Sequence, residues 1–175
     1  MKIQILRLSS LDKEDFFQFI KRQDLEDHFL FTRWKDSINS DEKLKNIIEN
    51  ECNLSEKEGF RIIGKNLDGR ICGYGLIDFF SQKEKQHVSV VGTIVDNEFR
   101  GQGIGKQLLE EEIQISKSKN KLKIRASAHE HNVSSIKLHQ SLGFVEEGKF
   151  VAEEFKEKYL NIISMALLLD SKLIK

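Results

Sequence analysis

The stretch VDNEFRGQGIGKQLLEE, Val95–Glu111, packs three glycines into five residues, with Arg100 before them and Lys106 after them. A β-branched run, VSVVGTIV (88–95), leads in, and an apolar-periodic run, IGKQLLEEEIQI (104–115), leads out. In the second run Ile104, Leu108, Leu109, Glu112 and Ile115 share one helical face, with only Glu112 polar. The stretch therefore reads as a strand, a glycine turn and a helix. Glycine lacks a Cβ, so a ligand can approach the backbone closely and φ can be positive. Free N–H groups at a helix start form an anion site, reinforced by the helix dipole. Amides from Gly101, Gln102, Gly103, Ile104, Gly105 and Lys106, with the charge of Arg100, suit a pyrophosphate. A tight turn without a ligand is the alternative. The dinucleotide fingerprint does not fit, because only G-x-G is satisfied and several strands precede the turn. The phosphate-loop pattern fails too, since Gly105-Lys106 is followed by Gln107.

Outward from the turn, the pattern stays mixed. KIQILRL (2–8) alternates as a strand, and SSLDKEDFFQFIKRQ (9–23) reads as a helix capped by Ser9 or Ser10. SDEKLKNIIENE (40–51) is a second helix behind Ser40. GFRIIGKNLDGRICGYGLIDFF (59–80) reads as two strands joined by a turn at 66–69, with 88–95 pairing with the second. KLKIRASA (121–128) is a strand, and NVSSIKLHQSLGF (132–144) is a short helix begun by Asn132 and stopped by Gly143. Two terminal strands follow. The expected order is β-α-α-β-β-β-α-β-α-β-β: one mixed α/β domain over residues 1–175, on a mostly antiparallel sheet.

With 28 basic and 28 acidic residues the formal charge is zero, which disfavours nucleic-acid binding through a broad basic field. No apolar run reaches the length of a membrane span, and the start lacks a secretory leader. Cys52 and Cys72 show neither metal spacing nor a disulfide framework. A cytoplasmic protein without a metal is the expectation.

Two blocks carry a resemblance to a known family. Arg100, Gly103 and Gly105 occupy the fixed positions of the Arg/Gln-x-x-Gly-x-Gly/Ala signature of the GNAT N-acetyltransferase superfamily. NVSSIKLHQSLGF is similar to the Asn-x-x-(Ala/Ser)-x-x-hydrophobic-(Tyr/His)-x-x-x-Gly-Phe segment of the same family. LHQSLGF in particular resembles the phosphinothricin acetyltransferase branch, and the terminal hairpin resembles that of small-molecule and ribosomal-protein acetylating relatives. The resemblance spans roughly 62–169. It implies the GNAT fold, with flanking helices and a central strand pair that splays apart. It also implies acetyl-CoA as co-substrate, its pantetheine held by the backbone of Thr93, Ile94 and Val95. The pyrophosphate then falls on Gly101–Lys106, with Asn132 near the cofactor. The implied state is a monomer or a homodimer.

Acetyl transfer needs a deprotonated amine, a stabilised thioester oxygen and a protonated leaving sulfur. An alkylammonium with a pKa near 10.4 is only about one part in 10³ free base at neutral pH, so a base is useful. The resemblance places His139 where many relatives carry a proton-donating tyrosine. It implies a carboxylate base on strands that here hold none, which leaves Glu130, His129, His131 and Asp78 as candidates, with Glu130 favoured. Phe29, Phe31 and Trp34, with Asp24, Glu26, Asp27, Glu153 and Glu154, are candidates for an amine pocket. The expected acceptor is the primary amine of a small molecule (a polyamine, an amino acid or an antibiotic-like amine). A protein N-terminus or lysine is the alternative acceptor, and a non-catalytic acyl-CoA sensor the alternative role.

Overall fold

A computed structural model describes residues 1–23, 40–156 and 158–170. The expected order of elements holds. The strands are β1 (Gln4–Arg7), β2 (Gly59–Lys65), β3 (Ile71–Phe79), β4 (Val88–Val95), β5 (Lys123–His129), β6 (Val145–Lys156) and β7 (Lys158–Leu168). The helices are α1 (Lys13–Arg22), α2 (Asp41–Cys52), α3 (Ile104–Ser118) and α4 (Val133–Ser141). The candidate pocket residues Asp24, Glu26, Asp27, Phe29, Phe31 and Trp34 lie outside the described residues.

Local chemistry sets the element ends. Ser9 forms a capping box with Asp12 across a short 3₁₀ turn that feeds α1. Ser40 caps α2 and Asn132 caps α4, each by accepting a backbone N–H. Gly143 ends α4 with φ of +89°. The turn between β2 and β3 is held by Asn66, whose Oδ1 accepts from the N–H of Asp68 and of Arg70, while Gly69 takes φ of +80°.

The seven strands form one sheet in the order β1-β2-β3-β4-β5-β7-β6. Every neighbouring pair is antiparallel except β4 and β5. One face packs on α1 and α2 through Phe16, Phe19, Ile20, Leu44, Ile48, Tyr74 and Ile94. The other packs on α3 and α4 through Leu109, Ile113, Ile77, Val91, Ile124 and Phe144. The alternating strands and periodic helices supply these two apolar layers.

One ionic cluster ties the first face together. Arg61, 4% exposed, pairs with Glu51 of α2 and with Asp78 of β3, the latter at 2.7 Å. Tyr74 donates its hydroxyl to the same Glu51 at 3.0 Å. Arg61→Ala removes the cation shared by Glu51 and Asp78. It is expected to lower the unfolding free energy by about 2–3 kcal/mol, below the full cost of a broken buried pair because Asp78 keeps part of its water. Denaturant titration of the variant against the parent measures this.

Candidate active site

The parallel pair β4–β5 is joined only at its beginning, through Val88↔Lys123, Ser89↔Ile124 and Val90↔Arg125. Beyond Val90 the two strands part. β4 stays on β3 up to Val95, and β5 stays on β7 up to His129. The ladder shows which peptide groups this frees. The N–H of Asp96 donates to the carbonyl of Cys72 on β3 at 3.0 Å. Alternate residues face the same neighbour, so the Ile94 peptide also faces β3. The N–H and C=O of Thr93 and Val95 therefore face the gap.

The gap opens into the glycine turn. Asp96, 2% exposed, fixes the loop ahead of it by accepting from Glu98 N–H, Arg22 Nε (3.2 Å) and Arg70 Nη2 (3.3 Å). Gly101 and Gly103 take φ of +74° and +79°, the left-handed region where other residues are strained. Gly103 is the N-cap of α3, so the helix's first amides face outward without a side-chain cap. A Cβ on Gly105 would come within 3.2 Å of Leu138 Cδ2 and 3.4 Å of Val95 Cγ2, so a bare glycine keeps α3 close to α4 and β4.

Gap and turn form one cleft of about 520 Å³ between α3 and α4. Of the residues expected to hold a cofactor, Thr93, Val95, Arg100, Gly101, Gly103, Ile104, Gly105, Lys106 and Asn132 line it. Ile94 and Gln102 do not. Ile94 turns its side chain into the core with α1 and α2. Gln102 is tied back through its carbonyl to the Met1 amine and through Nε2 to the Glu98 carbonyl. Phe99, His131, Ser134, Ser135, Leu138 and His139 complete the wall. Free strand-edge amides above a helix N-terminus bracketed by Arg100 and Lys106 fit an extended ligand ending in a diphosphate.

A model of the Acetyltransferase (GNAT) family matches residues 12–144. The chain belongs to this family. An L-amino acid N-acetyltransferase of Escherichia coli (strain K12) is 25% identical over 96 residues, 54% of this chain. The aligned part spans 59% of that relative's length. Two solved structures share the fold. A ribosomal-protein-alanine N-acetyltransferase from Brucella melitensis has a TM-score of 0.79 at 23% identity, over 95% of this chain and 99% of that one. A phosphinothricin acetyltransferase from Sinorhizobium meliloti, solved with acetyl-CoA, has a TM-score of 0.77 at 19% identity, over 97% and 89%.

Within this family fold, His139 stands on the cleft wall, 4% exposed. Its Nδ1 lies 2.8 Å from the Ser135 carbonyl, which can only accept, so Nδ1 carries the proton. Nε2 is buried and has no hydrogen-bond partner among the described residues. Burial holds the His139 pKa below its ordinary value, outweighing the carbonyl contact. The ring is thus neutral and offers a lone pair rather than a proton.

The four base candidates separate clearly. Asp78 is bound to Arg61. Glu130 is exposed, paired with Lys149 and hydrogen-bonded by Asn161 Nδ2 at 2.7 Å, and these contacts hold its carboxyl below the usual range. It is absent from the cleft lining, whereas His131 is part of it. His129 stacks on His131 with ring centroids 5.2 Å apart, and its Nε2 lies 3.0 Å from Glu154 Oε2. Glu154 reaches it because β6 bulges between Phe150 and Glu154. Among the described residues no group of three or more His, Cys, Asp or Glu side chains is placed to hold a metal, and no helix is long and apolar enough to cross a membrane.

Two polar contacts beneath the cleft escaped sequence reasoning. Thr93 Oγ1 meets Glu112 of α3, and Ser89 Oγ meets Ser116 Oγ at 3.0 Å. The only signal was Glu112 itself, the one polar residue on an otherwise apolar helix face.

Burial of His139 has a measurable consequence. Its folded pKa lies below its unfolded one, so the unfolded chain binds the proton more readily. The contribution is neutral above about pH 6.5 and becomes destabilising as pH falls through that value. His139→Gln is expected to show a shallower loss of stability between about pH 7 and pH 5, read by thermal melts across that range.

Proposed function

We propose that the protein is an acetyl-CoA-dependent N-acetyltransferase that acylates the primary amine of a small molecule. The observation that carries this reading is the continuity of the parted β4 edge with the glycine turn, which makes one cleft of matching chemistry at both ends. When bound, acetyl-CoA supplies an activated acyl group as a thioester. The gap-facing peptides of Thr93 and Val95 hold the pantetheine arm in the manner of an added strand. Amides from Gly101 to Lys106, with Arg100 and Lys106, hold the diphosphate, and Asn132 lines the same cleft at the start of α4. His139 shapes the cleft wall beside them.

The proton lost by the amine goes to the histidines at the end of β5 rather than to Glu130. His131 lines the cleft, and His129 behind it is joined to Glu154, whereas Glu130 is tied to Lys149. An imidazole is a common proton acceptor in catalysis. The acceptor class draws support from the L-amino acid N-acetyltransferase relative, and amino acids head the panel to be tried.

Titration calorimetry with acetyl-CoA tests the cleft. Saturable one-site binding is expected, with Arg100→Ala raising Kd by about ten-fold through loss of a charge-assisted contact. No heat of binding sinks the reading. Thiol release from acetyl-CoA against amino acids, polyamines, aminoglycosides and short peptides then tests the acceptor. Release that depends on a small amine supports it, and release only with peptides overturns the small-molecule assignment.

A further inference from the structure

Glu112 is 0% exposed in the middle of α3. Both its carboxyl oxygens approach one atom, Thr93 Oγ1, at 3.0 and 3.1 Å. Space for the carboxyl comes from Gly75, which stands opposite Thr93 on β3. A Cβ there would lie 2.4 Å from Glu112 Oε1 and 2.8 Å from Ile62 Cγ1. Glycine, threonine and acid thus form a fitted polar site under the strand edge, and Thr93 is also part of the cleft wall.

The elements packed on α3 bring no cation to this carboxyl. β2 turns Ile62 toward it, while Arg61 and Lys65 pair with Glu51, Asp78 and Asp12. β3 offers Gly75, with Cys72 bonded to the Gly64 carbonyl and Asp78 bonded to Arg61. β4 offers Thr93 and Ser89, neither ionisable near neutral pH. α4 brings His139, already bound to the Ser135 carbonyl. On α3 itself Lys106 approaches Glu110 at 3.9 Å, Glu111 is half-buried and Lys117 is exposed. A buried carboxylate without a cation is costly, so the neutral acid is the stable form. Burial accordingly drives the Glu112 pKa well above the ordinary carboxylic range, against the smaller opposing effect of Thr93.

Protonation decides which way the hydroxyl points. A carboxylate would accept the Thr93 proton and turn it away from the cleft. A neutral acid has one acceptor oxygen and one O–H; with that O–H donated to Oγ1, the hydroxyl hydrogen is free on the other side. We propose that Glu112 is a positioning residue that keeps the Thr93 hydroxyl turned into the cleft as a hydrogen-bond donor to the acetyl thioester, beside the gap-facing Thr93 N–H. The inference rests on acetyl-CoA occupying the cleft as proposed above. It assigns a use to an acid that the cofactor, His139 and the β5 histidines leave unexplained, and it makes that donor sensitive to alkaline pH.

The test needs no acceptor amine. Acetyl-CoA carrying ¹³C at the acetyl carbonyl is bound to the full chain, and its C=O stretch is read by isotope-edited infrared difference spectroscopy. In the parent at neutral pH the band is expected at lower wavenumber than in Thr93→Val and Glu112→Leu. Raising the pH should move the parent band up toward those variants. Glu112→Gln, which keeps a donor to Oγ1 but cannot ionise, should hold a low band at every pH. An unmoved carbonyl band in Thr93→Val and Glu112→Leu overturns the inference while leaving the cofactor reading intact. A pH response in Glu112→Gln equal to the parent's overturns it as well. Absence of any bound band, with flat calorimetry, removes the cofactor reading and this inference together. Thermal melts of each variant confirm that the comparison is made on folded protein.

Discussion

The parting of β4 from β5 after Val90 is the constraint on which the site depends. Each strand keeps a partner on its outer side, β3 for one and β7 for the other, so the sheet stays continuous while its middle opens. The divergence leaves the peptides of Thr93 and Val95 facing a cleft instead of a neighbouring strand. Backbone donors and acceptors left unpaired away from water are costly, and a bound chain that completes the ladder recovers that energy. Arg100 Nε already reaches the Val95 carbonyl at 3.3 Å, a local substitute for the missing strand.

What was legible in the sequence is what local chemistry controls. The change of apolar period from 2 to 3.6 falls at Gly101–Gly105, so strand, turn and helix were visible with their order. Asn66 and Gly69 mark the β2–β3 turn, and Asn132 and Gly143 mark both ends of α4. Arg100, Gly103, Gly105 and the segment from Asn132 to Phe144 carry the family resemblance, and much of the cleft lining falls among them. Ile94 reads like Thr93 and Val95 in sequence, yet its peptide faces β3, because which peptides a splayed edge frees is a property of the ladder and not of the residue.

The proton chemistry was less legible, for tertiary reasons. Glu130 looked available because its neighbours in sequence are polar. Lys149 and Asn161, from the terminal hairpin, reach it across the fold and bind it. Glu154 reaches His129 only through a bulge in which Ala152 takes φ of +55°, with its N–H bonded to Asn161 Oδ1. No periodicity announces such a bulge. His139 was visible as a position, but its tautomer follows from a carbonyl one helical turn earlier, at Ser135.

Helix α3 binds these parts into one device. Its first turn faces the glycine-turn end of the cleft, and its middle carries Glu112 and Ser116 against Thr93 and Ser89 of the strand that forms the cleft edge. The spacing is four residues on each element, running in opposite directions, so two polar contacts fix the register of helix on strand. A slide of α3 by one residue would rotate Glu112 by about 100° off Thr93 and bury an acid against hydrocarbon. It would also carry the glycine turn away from the end of the gap. Dispersion between apolar side chains tolerates such slips more readily than a buried acid with one partner. The distance between the strand-edge amides and the helix N-terminus is thus set in the core by Thr93, Glu112 and the bare backbone of Gly75.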